Sequence, residues 1–102
     1  MLKFYYNKHE NRLLCTFDER MDSMSSPNAE KEISKKIDGL SIENLSIVFD
    51  LEKVDFVSSA FMRICIKFAK KLKKDNFKIV NTKLMIKKTY KIAGLDKLMN
   101  IE

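Results

Sequence analysis

The stretch Ser46-Ile47-Val48-Phe49-Asp50-Leu51, followed by Val54-Asp55-Phe56-Val57-Ser58-Ser59-Ala60-Phe61-Met62-Arg63, decides how this chain is read. Ile47 to Phe49 are apolar at consecutive positions. Both faces of the strand they form are therefore expected to be covered, as in the centre of a sheet flanked by helices. Glu52 and Lys53 turn the chain, Val54 and Phe56 approach a helix, and Ser58-Ser59 stands at that helix's start. Beyond the serines, Phe61, Ile64, Cys65, Phe68, Ala69 and Leu72 recur at steps of three and four, which is the buried stripe of an amphipathic helix. Lys67, Lys70, Lys71, Lys73 and Lys74 fall mostly on the other side and suit the negative end of the helix dipole. The serine hydroxyls sit at its positive end, where a negative charge is tolerated or recognised.

Upstream, Leu2 to Tyr6 is aromatic-rich and reads as a strand, with Phe4, Tyr5 and Tyr6 as strand and core residues. Polar Asn7 to Asn11 forms a turn, and Arg12 to Phe17 completes a hairpin. After polar residues 18–26, Ser26 offers a capping hydroxyl and Pro27 fits the first helical position. Ala29, Ile33, Ile37 and Leu40 then recur at helical spacing, opposite Glu30, Lys31, Glu32, Lys35 and Lys36. Gly39 marks the expected stop. Downstream, Asp75-Asn76 turns into a short strand, Phe77 to Val80. A third helix is expected over roughly Lys83 to Ala93, with Ile86, Thr89, Tyr90 and Ala93 on one face. Gly94 serves as its C-cap, Leu95 packs back, and Leu98, Met99 and Ile101 return to the sheet edge. The order β-β-α-β-α-β-α predicts an α/β fold in one domain, residues 1–102. Its mixed sheet has four to five strands, with a parallel central part reached by helical crossovers, and three to four helices.

The composition is that of a folded globular chain: 102 residues, 45% hydrophobic and 33% charged. No apolar run approaches the roughly 20 residues of a membrane span. Residues 1–6 lack the pattern of a signal peptide, so a cytoplasmic protein without membrane insertion is expected. Cys15 and Cys65, 50 positions apart, read as reduced core residues. With one histidine, His9, no metal cluster can be assembled and no cofactor is expected. Two glycines and one histidine assemble neither a nucleophile with its base nor a phosphate-cradling loop, which argues against an enzyme. The six methionines follow no box-like spacing.

The net charge of +6 is uneven. Residues 1–62 carry 8 basic and 11 acidic side chains, net −3; residues 63–102 carry 12 basic and 3 acidic, net +9. Arginine is scarce in the basic half, Arg63 alone. A basic half raises the question of nucleic acid or an anionic membrane. A solvated lysine surface accounts for it better than a nucleic-acid track, which would want aromatic interleaving or a known motif, and a patch for an acidic protein partner lies between those readings.

Asp50-Leu51, Val54 and Phe56, Val80-Asn81 and Gly94-Leu95-Asp96 stand, in order and at matching spacing, where the STAS domain of bacterial anti-sigma-factor antagonists has its motifs. Arg20-Met21-Asp22 resembles the Gly-x-Leu-Asp that precedes that family's first helix, without the glycine. The resemblance is clearest over residues 47–101. It implies a module that binds an anti-sigma factor with serine-kinase activity in a partner-switching pathway of transcription regulation. Phosphorylation of a serine at the start of the second helix controls that binding. Counted from Phe56, the family's Asp falls on Ser58, its phosphoacceptor on Ser59 and the following serine on Ala60, and its two glycines fall on Phe61 and Arg63. Ser59, with Ser58 as its neighbour, is the implied phosphorylation site. Asp22, Ser58, Ser59, Ala60, Phe61, Met62 and Arg63 are the implied partner surface. A phosphatase is a further implied partner, and a monomer or weak dimer is expected. On the residues alone the serines read equally as an unmodified helix cap. A non-phosphorylated STAS scaffold or transporter-accessory module is the alternative the same fold allows.

Overall fold

A computed structural model describes residues 2–18, 20–73 and 75–102. Lys74, read above as part of a lysine-bearing helix face, lies outside the described residues. The elements are β1 (Leu2–Asn7), β2 (Arg12–Phe17), α1 (Ser26–Ile37), β3 (Ser46–Asp50), α2 (Ser59–Lys71), β4 (Phe77–Val80), α3 (Leu84–Ile92), a 3-10 turn (Leu95–Lys97) and β5 (Asn100–Ile101). The five strands lie in chain order, β1-β2-β3-β4-β5. β1 and β2 form an antiparallel hairpin, and every later pairing is parallel, reached through a helix. The α/β reading and the element order stand, and the apolar tail does return to the sheet as β5.

The core is built on one face of the sheet. Leu13, Cys15 and Phe17 of β2, Ile47 and Phe49 of β3, and Phe77 and Ile79 of β4 alternate inward and are buried. Phe61, Ile64, Cys65, Phe68 and Leu72 cover them from α2, as the spacing predicts. Phe49 is the hub: its ring lies 5.0 Å from Phe17, 4.9 Å from Phe77, 5.9 Å from Phe61 and 6.2 Å from Phe68. Aromatic pairs in such tilted or edge-on arrangements contribute about 0.5–1.5 kcal/mol each beyond area burial. Phe61 sits in the first turn of α2, so this cluster clamps the N-terminus of that helix to the centre of the sheet.

Five expectations are corrected. The second face of the sheet is not covered by helices: a shallow groove over Val48 is lined by Tyr5, Asn7, Arg12, Leu14, Lys78 and Val80, all strand residues. Val48 is buried between its register partners, Leu14 on β2 and Lys78 on β4. Tyr5 faces this open side and is 65% exposed, so it is no core residue, whereas Phe4 and Tyr6 pack against the core. The serine at the start of α1 is not its cap. Ser26 is itself helical and buried, its hydroxyl donating to the Asp22 carbonyl at 2.6 Å, and Pro27 falls one position later than expected. Gly39 ends α1 without a left-handed turn, because Asp38 takes the cap and Leu40 N–H closes on the Ile37 carbonyl at 3.0 Å. Gly94 does adopt φ +78°, the conformation glycine tolerates best, and Leu95 beyond it is buried. On α3, Ile86 and Tyr90 form the buried face, while Thr89 and Ala93 are exposed.

Candidate functional site

The site is where two loops meet at the start of α2. Met21 forms a parallel bridge with Val57: its N–H donates to the Phe56 carbonyl at 2.9 Å, and its carbonyl accepts from Ser58 N–H at 2.8 Å. The Met21 side chain is 2% exposed and anchors this crossing in the core. Residues 20–22 therefore run alongside 56–58, which brings Asp22 and the serine pair to one rim. Nothing in the sequence pattern joins segments 36 residues apart in this way; only the family resemblance grouped Asp22 with the serines.

Ser58 is the N-cap of α2. Its backbone is extended, and its Oγ accepts from Phe61 N–H at 3.2 Å, satisfying a donor that the helix itself cannot. The serine thus does the capping expected of the aspartate it replaces. Ser59 is the first helical residue and is exposed, and its hydroxyl bonds to no other described residue. No acidic residue lies in the first turn of α2, so the helix itself brings no carboxylate to the positive end of its dipole. Arg63, one turn beyond Ser59, is also exposed. Ala60 and Met62 are half-buried. Phe61 is the exception among the implied partner residues. Its ring is fully buried in the aromatic cluster, so it can position the surface but cannot offer its side chain to a partner.

Asp22 shapes the opposite loop. Its Oδ1 accepts from the backbone N–H groups of Met24 and Ser25, both at 2.9 Å, and from Ser25 Oγ at 3.1 Å. These bonds, Ser25 N–H first and Met24 N–H next, hold its carboxyl below the usual carboxylate range. Ser25 Oγ also reaches the Arg20 carbonyl at 2.8 Å, tying the loop into one unit that leads into α1. Two residues that the sequence did not single out for the site complete the rim. The Arg20 guanidinium lies 4.4 Å from the centroid of the Phe56 ring, a half-exposed aromatic.

Between the first turns of α1 and α2 runs a cleft of about 330 Å³ lined by Ser26, Pro27, Glu30, Ala60, Arg63, Ile64 and Lys67, with the Lys67–Glu30 ion pair on it. Among the described residues no three His, Cys, Asp or Glu side chains converge as a metal site. Neither cysteine is exposed: burial pushes the Cys65 thiol up to about 12 and raises Cys15 as well.

The strand order, the serine-capped α2 and the loop bridged to it by Met21 coincide with a match of residues 4–102 to the STAS domain model. The chain belongs to the STAS domain family. No curated protein sequence matches it. Among solved structures, an inferred anti-sigma factor antagonist from Thermotoga maritima superposes with a TM-score of 0.83 at 10% identity, covering 98% of this chain and 84% of the other. An anti-sigma factor antagonist from Mycobacterium paratuberculosis gives 0.79 at 20% identity, with 99% and 85% covered. The Bacillus cell fate determinant SpoIIAA in its phosphorylated form gives 0.70 at 14% identity, with 100% and 91% covered. At such identities the likeness establishes the fold of this STAS domain. No helix of the structure is long and apolar enough to cross a membrane.

Proposed function

We propose that this STAS domain is an anti-sigma-factor antagonist: it binds an anti-sigma factor with serine-kinase activity through the rim around Ser59, and phosphorylation of Ser59 releases that partner. The observation that carries the reading is the division of labour between the two serines. Ser58 is committed to capping α2, whereas Ser59 is exposed, unbonded to other described residues and adjacent to it. A phosphoryl group there adds about 1.5 to 2 negative charges and three acceptor oxygens. The positive end of the α2 dipole, whose first turn has no acidic residue, and Arg63 one turn away accommodate that charge, so the fold survives. A partner packed over Ser59, Arg63 and the Asp22 loop would have to desolvate the phosphate, so the complex weakens. The similarity to a SpoIIAA structure in a phosphorylated form supports the same reading.

The test is affinity purification from the native cell extract with ATP present, followed by phosphosite mass spectrometry. Recovery of a kinase-type partner, phosphate at Ser59, and retention of that partner by Ser59→Ala but not Ser59→Asp are expected. No such partner and no phosphate at Ser58 or Ser59 would sink the switch.

A further inference from the structure

Away from the serine rim, α3 presents an outer face that the proposed function does not use. Ile86 and Tyr90 fix the helix to the body, with Tyr90 Oη 3.3 Å from Cys65 Sγ in the core. Leu84, Lys88 and Ile92 follow at steps of four on the opposite side, with Met85 flanking them on one side and Lys87 and Lys91 on the other. Leu84 is 66% exposed, Met85 72% and Ile92 88%. Residues 83–93 hold Lys83, Lys87, Lys88 and Lys91 and no acidic residue. None of these lysines forms an ion pair with a described residue.

We propose that this face of α3 docks the domain on an anionic lipid bilayer. Three aliphatic side chains standing well out of a convex helix surface, interleaved with lysines, match what an interfacial helix offers to headgroups and the upper acyl region. Long lysine stems reach sideways to lipid phosphates while their neighbours dip inward. Residues 63–102, which contain α3, carry a net +9 against −3 for residues 1–62, so a negative surface attracts the part of the chain that holds this helix. A polynucleotide would leave the aliphatic tips unused, and no aromatic side chain stands on this face for its bases to stack on.

Co-sedimentation with 100 nm vesicles decides the matter, comparing phosphatidylcholine alone with phosphatidylcholine containing a third phosphatidylglycerol. Binding is expected to the anionic vesicles only, weakening as salt rises. Each lysine near an anionic surface is worth roughly five-fold in affinity, so Lys88→Glu with Lys91→Glu should cost at least about 25-fold. Leu84→Ser with Ile92→Ser should cost about ten-fold or more while leaving the far-ultraviolet circular dichroism unchanged. Lys31→Glu with Lys35→Glu on exposed α1 positions changes net charge identically and should cost only a few-fold. Equal losses for the α1 and α3 charge reversals would overturn the proposal, since attraction would then follow net charge alone. So would binding to soluble polyglutamate as tight as to vesicles and indifferent to Leu84 and Ile92, which would assign the face to an acidic polypeptide. None of these outcomes depends on a partner at Ser59.

Discussion

The division of labour between Ser58 and Ser59 makes a quantitative prediction that needs no binding partner. Ser58→Ala removes the Oγ that accepts from Phe61 N–H at 3.2 Å and leaves that donor without its cap. The Ser58 backbone bond to the Met21 carbonyl at 2.8 Å is untouched, so the loss is confined to the side chain. Loss of such a cap costs about 1 kcal/mol. For a domain of this size that lowers Tm by about 4–8 °C. With a urea m-value of about 1–2 kcal/mol/M, it moves the unfolding midpoint down by about 0.5–1 M at constant m. Ser59→Ala removes an exposed hydroxyl with no bond to a described residue and should stay within about 0.5 kcal/mol of the parent. Ser59→Asp places an anion in a first turn that has none and should stabilise by about 0.3–1 kcal/mol at low salt, an effect that fades as salt rises. Ser58→Asp keeps an acceptor at the cap and should be at least as stable as the parent. Equal destabilisation by Ser58→Ala and Ser59→Ala would refute the assignment of roles. Destabilisation of 1 kcal/mol or more by Ser59→Asp would mean that charge at this position unfolds the helix, and a switch here could not act by blocking an interface.

Three further outcomes follow from the same geometry. Because hydrogen bonds hold the folded Asp22 carboxyl below its ordinary value of 3.8, its charge stabilises the fold above that pH, and the contribution is lost as pH falls through the lower folded value. The urea-midpoint gap between parent and Asp22→Asn should be full at pH 7 and shrink progressively as pH falls below 3.8; a gap independent of pH contradicts this. Gly94→Ala forces a side chain onto φ +78° and should cost about 1–2 kcal/mol in chemical denaturation although the space is open, whereas Gly39→Ala, at no such angle, should be neutral or slightly stabilising. Cys15 and Cys65 should react with a disulfide reagent at pH 8 only as fast as the protein unfolds, since burial disfavours both thiolates; immediate labelling of either would contradict the packing.

The fold was legible where periodicity carries it. Alternation in β2 and steps of three and four in α2 mark out Leu13, Cys15, Phe17, Phe61, Ile64, Cys65, Phe68 and Leu72 of the core, because burial acts on side-chain direction and direction follows the backbone period. The covered-on-both-sides reading of β3 failed for a specific reason. Val48 is shielded by Leu14 and Lys78 on neighbouring strands, and a run of three apolar residues looks alike whether a helix or flanking strands provide the cover. The start of α1 was misplaced because Ser25, Ser26 and Pro27 all suit a helix entrance by type. What decides among them is the Asp22 carboxylate, which accepts from the Met24 and Ser25 N–H groups two and three residues on and so closes a turn just ahead of the helix. At the site, the serine pair was visible as a helix start, but which serine caps and which is left exposed depends on one residue of helix boundary. Arg20 over Phe56 was beyond reach, since nothing in composition joins loops that meet only through the Met21 bridge.

The chain-ordered sheet has a consequence for how the protein is made. During synthesis every strand after β1 finds its partner already present, and that partner is the one just before it. The growing sheet therefore adds strands at one end only, first on β2, then on β3, then on β4, while the outer edge of β1 stays open. A nascent chain of this topology needs no strand inserted between two others, the step that holds up many sheets and leaves sticky intermediates. The two residues of β5 pair with Lys78 and Ile79 and blunt the last edge with a strand too short to recruit another chain. Aggregation during expression should then track the time β4 spends unpaired, making β5 the element to retain in any shortened version of this domain.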